Sequence, residues 1–149
     1  MKIVAKNKKA LFNYEVIKEY EAGMVLQGWE VKSIKASQVS IKESFVTVQN
    51  GEAFLQSAHV SPFKNSDKSV KMDEYRARKL LLHKNEIIKI EHGKKISGGT
   101  VIPLKIYFVR GKAKLTIALA KGKKQYDKRA SLKEKDFKKQ INRDLINAR

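Results

Sequence analysis

The chain has 149 residues, with 33 Lys and Arg against 15 Asp and Glu, a formal charge of +18, and no cysteine. The length fits one domain of ordinary size, and the missing thiols exclude a disulfide-stapled scaffold, a thiolate metal centre and a cysteine nucleophile. So large a charge excess says little about fold but points to a polyanionic partner.

The charge is uneven. Residues 1–120 hold 22 basic and 11 acidic side chains, and residues 121–149 hold 11 and 4. At 42% hydrophobic, the chain has enough apolar material for one core. No stretch reaches the ~20 apolar residues of a spanning helix. The basic start, Met1 to Lys9, precedes no apolar leader run. The expectation is a cytoplasmic protein with no membrane partner.

In chain order, Lys2 to Lys9 reads as a polar, basic arm. From Leu11, the β-formers Tyr14, Val16, Ile17 and Tyr20 predict a strand, broken at Glu21-Ala22-Gly23. Val25 to Ala36 spaces Val25, Leu26, Trp29 and Ile34 as a helix does. Strand patterning returns at Val39 to Gln49. Asn50-Gly51 then joins it to a β-rich run, Ala53 to Val60, as a hairpin. Pro62 ends that run, and Lys64 to Asp73 reads as an exposed loop.

Arg76 to His83 is basic, then apolar at Leu80, Leu81 and Leu82. Lys84 to Ile96 predicts a helix stopped by Gly98-Gly99. A second hairpin alternates through Leu104, Ile106 and Phe108, turns at Arg110-Gly111-Lys112, and returns through Leu115, Ile117 and Leu119. Pro103 fits a strand start. Beyond Ala120 the alternation stops and a basic tail begins. In it, Ser131 and Glu134 form a capping-box pattern, and Phe137, Ile141, Leu145 and Ala148 lie on one narrow helical stripe. A helix so basic is marginal alone in water.

Five or six short strands with two or three helices predict a mainly β fold. Small antiparallel sheets avoid open edges by curling into barrels. An oligonucleotide-binding (OB) type of barrel is one member of that class. The division expected is a barrel at 1–120 and a basic tail at 121–149, disordered when free.

A search for catalytic chemistry finds little. There is no phosphate-binding glycine loop and no Gly-x-Ser-x-Gly elbow. His59, His83 and His92 lack metal-ligand spacing to one another. No enzyme activity, cofactor or metal is expected. The cations are more informative, because each phosphate they neutralise releases counterions. Aromatic residues lie among them: Trp29 near Lys32, Tyr75 near Arg76 and Arg78, and Tyr126 near Lys124 and Lys128. Rings beside cations can stack unpaired bases. Trp29 is equally readable as core.

Several blocks together carry a resemblance. They are Glu21-Ala22-Gly23, Gln27-Gly28-Trp29-Glu30-Val31-Lys32-Ser33-Ile34-Lys35, Arg78-Lys79-Leu80-Leu81-Leu82, Pro103 to Phe108, and Ala118 to Arg129. In order and spacing they resemble the small protein B family, the SsrA-binding proteins. The resemblance implies an OB-fold-like antiparallel β-barrel with flanking helices. It also implies binding to the tRNA-like domain of transfer-messenger RNA, delivery of that RNA to stalled ribosomes for trans-translation, and a tail that becomes helical along the mRNA path.

The same resemblance implies RNA-binding roles for Asn7, Glu21, Glu30, Lys32, Lys35 and Arg78. It implies ribosome-interacting roles for Lys121, Lys123, Lys124, Tyr126, Asp127, Lys128 and Arg129, near the decoding centre. Lys35 stands where the family more often has Arg, which keeps the charge but loses the bidentate fork. The alternative is a ribosomal or other translation-associated RNA-binding protein, equally basic by composition.

Overall fold

The computed structural model describes residues 2–63 and 71–122. Among them the elements run β1 (Lys2–Lys6), α1 (Lys8–Asn13), β2 (Tyr14–Met24), α2 (Gly28–Lys35), β3 (Val39–Ser40), β4 (Phe45–Gln49), β5 (Glu52–Gln56), β6 (His59–Val60), β7 (Arg78–Leu81), α3 (Lys84–Ser97), β8 (Thr100–Val109) and β9 (Lys112–Gly122). The expected tail, with its capping box and helical stripe, lies outside the described residues, as do positions 64–70 of the expected loop.

Every strand pairing is antiparallel. The main sheet runs β1-β8-β4-β5-β7-β2-β9, and β9 pairs back onto β8. That last pairing closes β8, β4, β5, β7, β2 and β9 into a barrel of the OB-like kind, with β1 lying outside the ring against β8. Closure gives each of those six strands a paired neighbour on both sides.

Both predicted hairpins are present. Asn50 and Gly51 link β4 to β5, and Arg110 and Gly111 link β8 to β9. All four have positive φ (52°, 75°, 51° and 78°), the geometry that matches the right-handed twist of paired strands. The α3 helix starts at a capping box on His83 and Glu86 and ends at Gly98, close to the predicted bounds.

Three expectations change. The basic arm is not loose: Lys2–Lys6 is β1, paired with Lys105–Phe108 of β8, and Lys8–Asn13 is helical. Glu21-Ala22-Gly23 does not break β2, because the inward alternation of Tyr20 and Ala22 carries through. Gly23 instead permits a close approach: a Cβ there would meet Leu81 Cβ at 3.3 Å. Pro103 lies inside β8 rather than at its start. It sits beside a register shift, one of the places where a sheet interior tolerates proline.

The core fills the barrel with Ile34, Leu55, Leu80, Ile90, Ile106, Leu115 and Ile117, all essentially inaccessible. A smaller cluster forms outside it, where Ala10 of α1 packs on Ile102, Ala118 and Ala120. Trp29 belongs to the main core and its indole N–H donates to Gln27 Oε1 at 2.7 Å. Of the two readings of Trp29, the structure selects core.

Candidate nucleic-acid interface

The α2 helix begins with a capping box: Glu30 Oε1 accepts the Gln27 backbone N–H at 2.8 Å. The same carboxylate receives Arg76 Nη2 on Oε1 and Arg78 Nε on Oε2. Glu30 and Arg78 have no exposed surface at all. Arg78 uses its other donors on main-chain carbonyls, those of Ala58 at 2.8 Å, Glu74 at 3.2 Å and Asp73 at 3.5 Å. Arg76 Nη2 also reaches Val25 O at 3.4 Å. Burial pushes the Glu30 carboxyl up, but hydrogen bonds from Arg76, Gln27 and Arg78, with the Arg78 charge, hold it below its ordinary value of 4.5.

Asn7 stands at the N-terminus of α1 yet makes no capping bond with its side chain. It is only 6% exposed, and its Nδ2 donates to Ile41 O at 3.3 Å and Pro103 O at 3.1 Å. Its backbone N–H donates to Leu104 O at 2.7 Å. On this edge, β8 pairs with β4 at Val101 and with β1 from Lys105 onward. Asn7 supplies donors to the carbonyls left between those two partners.

Glu21, Lys32, Lys35 and Lys121 are exposed. Glu21 lies opposite Thr116 in the β2–β9 register. The Tyr107 hydroxyl is raised above its ordinary value of 10.0 by burial, then by hydrogen bonding to the Glu21 carboxylate, against a lowering bond to Thr116. The two α2 lysines lie over rings: Lys32 Nζ is 5.6 Å from the Phe63 centroid, and Lys35 Nζ is 5.8 Å from that of Phe108. Among the described residues, the Lys and Arg ion pairs to carboxylates involve only Arg76, Arg78 and Lys79.

The profile of the SmpB protein family matches residues 4–147. The chain belongs to the SmpB protein family. It is 51% identical to the SsrA-binding protein of Enterococcus hirae over 98% of this chain and 94% of that one. It is 48% identical to the SsrA-binding protein of Persephonella marina over 96% and 93%. Its fold matches a solved chain from "tmRNA-SmpB: a journey to the center of the bacterial ribosome", with a TM-score of 0.68 and 39% identity, covering 84% of this chain and 87% of that one.

In this SmpB protein the residues expected at the interface divide into two groups. Glu30 and Arg78 are brought together, but against each other and away from solvent. Asn7 is likewise inside. The polar atoms of these three side chains are bonded to or buried within the protein. Glu21, Lys32 and Lys35 remain at the surface. Lys121 lies exposed within the last residues of β9, opposite Glu15 of β2, while Lys123, Lys124, Tyr126, Asp127, Lys128 and Arg129 lie outside the described residues.

Arg76, Tyr107 and Phe63 were not singled out for these contacts. Arg76 and Arg78 are two apart at the entry to β7, and both reach the Glu30 carboxylate. That spacing is a legible sign of a shared carboxylate.

Proposed function

We propose that this member of the SmpB protein family binds transfer-messenger RNA, the SsrA RNA, and brings it to stalled ribosomes for trans-translation. The observation that carries the reading is agreement with SsrA-binding proteins at about half identity over nearly the whole chain, supported by the fold shared with the tmRNA-SmpB chain. The physics agrees: a chain of formal charge +18 suits a folded polyanion.

In this reading the protein works by binding alone, in the cytoplasm, with no catalytic step and no cofactor. Lys32 and Lys35 attract the backbone. Glu21 cannot attract phosphate, but it accepts hydrogen bonds from base amino groups and so favours one RNA surface over generic polyanion. Asn7, Glu30 and Arg78 act from behind, holding the β1–α1 corner and the N-terminus of α2 in place. Residues 1–120 form the RNA-binding body. The tail from Lys121, with Lys123, Lys124, Tyr126, Asp127, Lys128 and Arg129, serves the decoding centre and mRNA path of the ribosome and becomes helical there.

Purification of the full chain from cells, with sequencing of the bound RNA, tests the reading. Strong enrichment of transfer-messenger RNA over total RNA is the expected result. Recovery of ribosomal RNA in bulk proportions would instead favour a constitutive ribosomal component.

A further inference from the structure

The buried Glu30–Arg78 pair lies beneath one exposed turn, residues 73–76. Arg78 binds the carbonyls of Asp73 and Glu74. Asp73 Oδ1 accepts the Tyr75 backbone N–H at 3.1 Å, and Glu74 O accepts the Val60 N–H at 3.0 Å. Arg76, the next residue, is tied to Glu30. A turn this firmly held from both sides presents Tyr75, which is 60% exposed, more than any other Phe, Tyr or Trp among the described residues. Among the described residues its ring partner is His59, with centroids 5.0 Å apart and planes tilted by 47°. His59 in turn sits 3.7 Å from the Glu74 carboxylate.

From this geometry we infer that Tyr75, backed by His59, is a stacking platform for one unpaired base of the bound RNA. The inference rests on the RNA-binding reading above and adds a contact that neither the barrel face at Glu21 nor the α2 lysines supply. An aromatic face suits any base, since every base has a π-face. Fixing the ring beforehand removes the ordering cost that a mobile exposed side chain would incur on binding. Glu74 beside the pair repels phosphate, so a base rather than the sugar–phosphate backbone is what the ring meets. The neighbouring loop also leads toward a cation: Ser33 Oγ donates to Ser61 O at 2.7 Å, and Phe63 lies under Lys32. The overall positive charge makes a nucleic acid the favoured occupant over a protein surface.

The test titrates the full chain with a transfer-messenger RNA transcript and, separately, with a fully paired RNA duplex that offers no loose base. Tyr75→Ala is expected to weaken transcript binding roughly tenfold, within the range for losing one stack. Tyr75→Phe is expected to stay within about twofold of the parent, the ring being kept. Duplex affinity and the salt slope stay unchanged, because no charge is removed. A second variant, Tyr75→Trp, places an exposed indole beside a native Trp29 that is buried. Its fluorescence should be quenched, and shielded from acrylamide, by saturating transcript.

Equal affinity of the parent and Tyr75→Ala for the transcript overturns the platform while leaving RNA binding intact. Equal loss in Phe and Ala assigns the contact to the hydroxyl and also overturns it. Loss of ribosome retention without any loss of RNA affinity would give the ring to a protein or ribosomal surface instead. Failure of the parent chain to bind the transcript would overturn the RNA-binding reading itself.

Discussion

Glu30 on α2 and Arg78 on β7 are 48 positions apart, yet they meet as a fully buried ion pair that joins a helix start to a barrel strand. Removing two charges from water costs several kcal/mol per ion, and only good geometry with further hydrogen bonds offsets it. Here both conditions hold. Glu30 accepts from Gln27, Arg76 and Arg78, and Arg78 donates to three main-chain carbonyls as well.

Glu30→Ala should therefore leave a buried guanidinium without its counterion and cost about 3–5 kcal/mol. That is a large part of the about 5–15 kcal/mol that holds a domain together. Urea denaturation of the parent, Glu30→Ala, Arg78→Met and the double variant checks it. The double variant should lose less than the sum of the two single ones. Additive losses would show that the two residues act independently.

The same pair sets an acid dependence. Because the folded Glu30 carboxyl is held below 4.5, its contribution is fully present above that value. It is lost as pH falls below 4.5 and through the folded value. Thermal melts from pH 7 down to 3 should show stability falling below about pH 4.5 in the parent. Glu30→Gln should start lower and show a shallower fall over that window.

At the RNA-facing surface, Glu21→Ala should weaken transfer-messenger RNA binding although it makes the protein more basic. Tyr107→Phe should weaken it less, by freeing the Glu21 carboxylate to turn. Gel-shift titrations at several salt concentrations separate the two possible causes. If the acid reads the RNA surface, affinity drops with little change in salt slope. If Glu21 were only one charge among many, removing it would raise affinity.

Close packing at the foot of the barrel predicts a separate effect. A Cβ on Gly99 would lie 2.4 Å from the Ala120 carbonyl oxygen, a backbone atom that cannot swing aside. Gly99→Ala should cost about 1–3 kcal/mol through strain, readable as a lower urea midpoint with an unchanged slope. An unaltered midpoint would mean that the α3–β8 junction yields freely.

Body and tail should separate in function. Deleting residues 121–149 should leave RNA affinity largely intact while abolishing peptide tagging on stalled ribosomes. Affinity comes from a gel shift, and tagging from an in vitro translation reaction on a message without a stop codon. Normal tagging by the truncated chain would refute the division.

What was legible in the sequence rested on local rules. Asn50-Gly51 and Arg110-Gly111 mark hairpins because few residues accept positive φ, and α3 is stopped by a C-terminal glycine. The polyanion partner followed from charge, which needs no fold to be counted. Pairings distant in sequence were not legible that way. Strand β1 looked like a loose arm because its five residues gain order only from β8, about a hundred positions on. Glu21-Ala22-Gly23 looked like a break because composition cannot show that Leu81 will need the space over Gly23.

The family resemblance put Asn7, Glu30 and Arg78 among the RNA-binding residues without saying which of them face water. Whether a charged group faces water or a counterion depends on which segments closure brings together, and only the folded barrel decides that. The chain by itself thus determined its turns, its α3 helix and its cationic character, all short-range or additive properties. The tertiary structure decided which of its polar groups were buried as braces and which were left free at the surface, because burial is a property of the whole assembly of strands.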